Sequence, residues 1–204
     1  MATSPSSLAA AIPDADTLTN AAKLQILDSQ GAKVTFGSLF EKQKTIVVFI
    51  RHFFCGSFVE QLASIPHDIL DKADVKLAVV GCGDWQPIQS YANTTKFSGP
   101  IYADPSRSLY RALGMNIEKL EGTPPVQQRK SYLTTGPLKN AMKSIWKGPL
   151  KHPNLLGKQG NISQLGGDFV LGPGLICSFA WRMQHTEDHV EIAELLEKAG
   201  LEYS

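Results

Sequence analysis

Thr45-Ile46-Val47-Val48-Phe49-Ile50-Arg51-His52-Phe53-Phe54-Cys55, running through Gly56-Ser57 into Phe58, decides how this chain folds. Thr45 to Phe54 is almost continuously apolar, and β-branched in its first half, and is read as a strand. A strand buried on both faces has this pattern, as at the centre of a parallel sheet. From Ser57 to about Lys72, Phe58, Leu62, Ile65 and Ile69 recur at steps of four, three and four, which predicts a helix. Ser57 with Glu60 three residues on has capping-box spacing, and Pro66 is expected to kink the helix.

Outward from this unit the pattern repeats. Val75 to Val80 reads as a second buried strand, closed by Gly81-Cys82-Gly83, and Trp85 to Phe97 as a helix. Ile101-Tyr102-Ala103 is a third, short strand, and Asp104-Pro105-Ser106 turns into a helix ending at Gly114. Residues 45 to 103 are therefore β-α-β-α-β. Before them, Leu24–Leu27 and Lys33–Phe36 flank a turn at 28–31 and read as a hairpin. After them, Phe169-Val170-Leu171 and Ile176–Met183 form a second hairpin about Gly172-Pro173-Gly174, and His189–Leu201 a covering helix. The fold class is α/β, a central mixed sheet flanked by helices. Residues 1–20 are expected to be a flexible arm, and 21–204 a single domain. About 116–166 is an insertion whose Ser131–Trp146 segment has amphipathic helical spacing.

The composition narrows the function. The 204 residues carry 20 Lys+Arg against 19 Asp+Glu, scattered along the chain, so no basic field invites nucleic acid. No apolar run approaches the length of a membrane span. The three cysteines, Cys55, Cys82 and Cys177, cannot all pair and show neither C-x-x-C nor a zinc spacing. Free thiols in a reducing, cytoplasmic setting are the expectation, with no metal and no cofactor. The first twenty residues lack the pattern of a secretory or Arg-rich transit leader.

Cys55 follows a buried strand and precedes a helix N-terminus, where unpaired N–H groups favour a thiolate. Arg51 lies four residues upstream as a candidate counter-charge. The other reading is a small buried hydrophobe among Phe53, Phe54 and Phe58. Cys82 ends the adjacent strand, at the same edge of the sheet, and is a candidate second thiol as well as a small residue in a tight exit. Cys177 reads as packing. His185 and His189 are spaced i,i+4, but the intervening Thr186-Glu187-Asp188 reads as a solvated helix start. Open α/β sheets bind ligands at the carboxyl edge. A pocket is therefore expected there, lined by Arg51, Phe54, Cys55, Gly83 and Trp85, with 116–166 as a partial roof, while strand alternation turns His52 to the opposite face.

The segments Val47–Cys55, Val79–Gly83, Tyr102–Gly114 and Gly166–Gly174, with Arg182 and Asp188-His189, together resemble the peroxiredoxin-like branch of the AhpC/TSA antioxidant family. The resemblance runs from about residue 21 to 201. It implies a thioredoxin-like fold and thiol-dependent reduction of a hydroperoxide or endoperoxide. On that reading Cys55 attacks, with Arg51 and Cys82 as catalytic partners and His52, Phe54, Gly83 and Trp85 against the substrate. A thiol reductant would be a partner, and a homodimer is left open. The resemblance departs at the helix start. Relatives carry C-x-x-C there, whereas Cys55 reaches Phe58 through only Gly56-Ser57, about three residues short. Three residues turn a helix by roughly 300°, so the apolar stripe keeps its register while the dithiol is lost. His52 also stands where relatives have Thr or Ser. Two alternatives follow from these departures: a recruited enzyme doing non-redox chemistry on an apolar small molecule, and a non-catalytic binding protein.

Overall fold

The computed structural model describes residues 5–134 and 155–202. Two short helices, α1 (Pro5–Ala9) and α2 (Ala15–Ala22), precede the hairpin of β1 (Gln25–Leu27) and β2 (Lys33–Thr35). Next come β3 (Lys44–Ile50), α3 (Ser57–Leu62), α4 (His67–Lys72) and β4 (Val75–Gly81), then α5 (Ile88–Thr95), β5 (Ile101–Ala103) and α6 (Ser108–Ala112). A one-turn α7 (Ser131–Thr134), the hairpin strands β6 (Gly167–Leu171) and β7 (Cys177–Arg182), and α8 (Ile192–Lys198) complete the α-helices and strands among the described residues. The seven strands form one mixed sheet in the order β2-β1-β5-β4-β3-β6-β7. β3, β4 and β5 run parallel, and the pairs β3–β6, β6–β7, β1–β5 and β1–β2 are antiparallel.

β3 is all but fully buried from Thr45 to Ile50. Ile46, Val48 and Ile50 face one core with Phe58, Leu62, Val79, Leu195 and Leu196. Val47 and Phe49 face the other, with Leu18, Phe36, Phe40, Tyr110 and Phe169. The expected strand over 45–54 stops at Ile50, because Cys55 N donates to His52 O (3.0 Å) and turns the chain. The single helix expected over 57–72 is two. Pro66 has extended backbone (ψ 128°) and starts α4 rather than kinking a continuous helix. The capping box does not form. Gly56 is the N-cap of α3 and makes no side-chain cap.

Residues 5–20 carry two helices where a flexible arm is expected. Asp14 Oδ1 accepts from Thr17 N (2.8 Å) and caps α2, whose Leu18 is only 2% exposed against the second core. Arg182 Nη1 donates to Ala9 O and Ala11 O and ties the α1 end to β7. The apolar spacing of Leu18, Ala21 and Ala22 carried this packing, broken from the earlier apolar residues by Pro13. Of the helix expected over 131–146, only its first turn lies among the described residues.

If α2 is structural, Leu18→Ala lowers unfolding free energy by about 2–4 kcal/mol in urea denaturation. An unchanged midpoint is the result expected of an undocked arm.

Candidate functional site

β3 and β4 end together, with Ile50 paired to Gly81, so the residues after them share the carboxyl edge of the sheet. Tyr110 clamps that edge: its buried hydroxyl sits 2.6 Å from Ile50 O and 2.9 Å from Val80 O. Tyr110 is placed in turn by Asp104, whose carboxylate accepts from Leu109 N (2.8 Å) and caps α6.

The turn from Arg51 to Gly56 carries the thiol. His52 is buried; its carbonyl accepts from Cys55 N and its Nδ1 accepts from Phe54 N (3.1 Å). Burial, and then the positive charge of Arg51, push the His52 imidazole down to about 4, so it is neutral near pH 7. Cys55 is half-buried, and its carbonyl accepts from Tyr91 Oη (2.7 Å). Burial pushes the Cys55 thiol up. The Arg51 guanidinium pulls the other way through its charge and a hydrogen bond, and the Glu187 carboxylate adds to the rise. Arg51 is itself held, since Nη2 donates to Ile162 O (2.8 Å). Its Nε is buried with no acceptor among the described residues.

Cys82 is buried under residues 158–162. Its Sγ donates to Arg51 O (2.8 Å) and lies 3.6 Å from Asn161 O. The loop is pinned there by Phe53 N to Gln159 O (3.0 Å) and Asp84 N to Lys158 O (2.8 Å). It fits so closely that a Cβ at Gly160 would lie 2.7 Å from the Cys82 sulfur. Burial pushes this thiol up to about 11.

The structure therefore groups Arg51, His52, Phe54 and Cys55 in one turn, but gives Gly83 and Trp85 other neighbours. Gly83 is overlain by the backbone of 158–159, where a Cβ would lie 2.5 Å from Lys158 O. The Trp85 indole lies on Gly31 in the β1–β2 turn, with Cε2 2.8 Å from the place of a Gly31 Cβ. A residue just past a strand is free to turn either way, and the glycine across the sheet provided the space. Residues 117–119 and 163–165 meet at the base of the insertion, through Leu165 N to Ile117 O and Lys119 N to Ser163 O.

One cluster near this turn went unread. Asp168, fully buried on β6, bonds His189 Nδ1 (2.8 Å) and accepts from Val190 N (2.9 Å). The His189 ring stacks on Phe58 at 4.3 Å, and His189 N donates to Tyr132 Oη (3.1 Å). His185 is buried too, 3.6 Å from Asp188. The expectation of solvated histidines is thus corrected. The signal was available in Gly166-Gly167-Asp168-Phe169-Val170-Leu171, because a carboxylate inside an apolar strand needs a buried partner. Cys177 is half-buried on β7, its Sγ 3.2 Å from Phe179 O.

A helical pair beside a mixed sheet with the cysteine turn at its carboxyl edge is the thioredoxin fold of peroxiredoxins. Solved structures with this fold include peroxidoxin BcpB from Mycobacterium tuberculosis (TM-score 0.54, 10% identity, 87% of this chain and 89% of that one). Peroxiredoxin 6 of Arenicola marina is another (TM-score 0.57, 14% identity, 87% and 69%). A family model described as AhpC/TSA antioxidant enzyme matches residues 61–185. Peroxiredoxin-like 2C of Mus musculus is 37% identical over 185 residues, covering 89% of this chain and 79% of the relative. The Homo sapiens protein of that name is 36% identical over 186 residues, covering 89% and 80%. The chain belongs to the AhpC/TSA family, in its peroxiredoxin-like branch. The matched family span begins after Cys55.

His52 supplies a pH test. Its folded pKa lies below the unfolded value, so unfolding binds a proton between about pH 6.5 and 4. Its contribution is complete above about 6.5 and lost as pH falls toward 4, by up to about 3 kcal/mol. His52→Asn should reduce this part of the acid loss of stability in urea titrations. An identical pH slope in the variant contradicts the assignment.

Proposed function

We propose that this protein reduces hydroperoxides through Cys55. The observation that carries the reading is the buried, unmatched Arg51 Nε beside the residue whose thiol Arg51 already influences. A peroxide oxygen at the sulfur would satisfy that donor, and so would the sulfenate oxygen that follows. The family membership and the peroxiredoxin fold support it.

The Cys55 thiolate attacks the distal peroxide oxygen, the O–O bond breaks, and the alkoxide leaves as the alcohol after taking a proton. Cys55 is oxidised to sulfenic acid and the peroxide is reduced. A thiol then displaces water from the sulfenic acid to give a mixed disulfide. A second thiol releases Cys55 and carries away the disulfide. We assign that resolving role to an external thiol reductant, because the Cys82 sulfur is engaged beneath 158–162. Burial sets the pace by holding Cys55 as a thiol. Arg51 offsets part of that cost.

Titrating free thiols after tert-butyl hydroperoxide tests this. Wild type and Cys82→Ser are expected to lose one reactive thiol and to trap a sulfenate-specific reagent, while Cys55→Ser does neither. The rate should climb with pH toward and past the ordinary thiol value of 9.0, since the thiolate fraction climbs. No thiol loss at millimolar peroxide, or equal loss in Cys55→Ser, contradicts the proposal. Turnover of an apolar substrate that persists in Cys55→Ser would favour the recruited, non-redox reading.

A further inference from the structure

A cavity of about 420 Å³ opens at the opposite end of the sheet, lined by residues at the start of β3 and β4 and by Phe97–Pro100. It exists because β5 is short. Pairing between β4 and β5 begins only at Val79 opposite Ile101, so the first residues of β4 lack a strand on that side. Val79 N donates to Pro100 O, which fixes the direction in which odd-numbered β4 residues present their backbone. Leu77, two residues earlier, presents its N–H and C=O the same way by strand alternation, toward the gap. Gly99 borders the gap without filling it. A Cβ there would come 3.0 Å from Leu77 O and 2.7 Å from the Phe97 ring.

The walls are hydrocarbon: Leu62, Ile65, Leu70, Leu77 and Phe97 all belong to the first core, and Ala63 packs against it. Among the polar lining residues, buried Thr45 already donates to Leu39 O, while the exposed Ser98 Oγ and His67 Nε2 stand 3.0 Å apart at the rim. Asp71 and Lys76 also line it, one of each sign, so the rim offers no net attraction to an ion. Concave, mostly apolar space of this size with a few convergent polar groups is what small-molecule sites share.

We propose that this cavity binds a small uncharged molecule, apolar along its body, with one hydroxyl or carbonyl head. The body lies against Leu62, Leu70 and Phe97, and the head meets Ser98 and His67. The cavity lies toward the starts of β3 and β4, whereas Cys55 follows the end of β3. Its test uses the full-length Cys55→Ser protein, so that thiol chemistry plays no part.

Titration with 1-octanol, followed by ¹⁵N–¹H spectra, should give saturable shifts centred on the Leu77 and Gly99 amides. Ser98→Ala removes an exposed hydroxyl without disturbing the core and should weaken octanol roughly fivefold, as expected for one neutral hydrogen bond. Ala63→Phe fills the cavity and should abolish the shifts. Sodium octanoate should bind more weakly than octanol. Shifts that grow linearly without saturating overturn the proposal, as do shifts centred on residues 51–58 or a Ser98→Ala protein that binds as wild type. Octanoate matching octanol overturns the uncharged-head assignment. Should Ala63→Phe fail to fold, saturation and Ser98→Ala decide the matter.

Discussion

The burial of β3 on both faces is the constraint on which the rest depends. A strand enclosed from Thr45 to Ile50 takes its hydrogen bonds from β4 and β6 and its packing from two separate cores. Past Ile50 the chain turns, and the residues that follow are Arg51, His52, Phe53, Phe54 and Cys55. The site is thus an edge effect of the core. Its residues are placed by what precedes them. Tyr110 and Asp104 then fix the neighbouring strand ends and α6.

Two opposing electrostatic effects meet at Cys55. Desolvation disfavours the thiolate, and the guanidinium favours it; desolvation is the larger here. Fixing Arg51 through Ile162 O links this balance to the 158–162 loop, which also covers Cys82. One loop therefore holds the counter-charge of one thiol and shields the other. That arrangement distinguishes the two cysteines although they follow adjacent, parallel strands.

The strand-helix order and the Cys55 turn were legible because they rest on local periodicity and on apolar runs a dozen residues long or shorter. The hairpins at 25–35 and 167–182 were legible for the same reason. The 158–162 cover was not, since it pairs residues such as Cys82 and Asn161 that are 79 positions apart and carry no shared pattern. The contact of Trp85 with Gly31 was not legible either, because local spacing does not say which way a side chain leaves a strand end. The Asp168–His189 pair needed a question about polar satisfaction that periodicity does not ask. The docking of α2 was hidden by its short length and by Pro13 just before it.

On the proposed chemistry, Arg51 sustains whatever thiolate Cys55 has. The pH dependence of iodoacetamide alkylation at Cys55, followed by mass spectrometry in wild type and Arg51→Gln, measures this most directly. The expected result is a wild-type thiol pKa above the ordinary value and a still higher one in the variant, with slower alkylation at every pH below both. Superimposable profiles would contradict it.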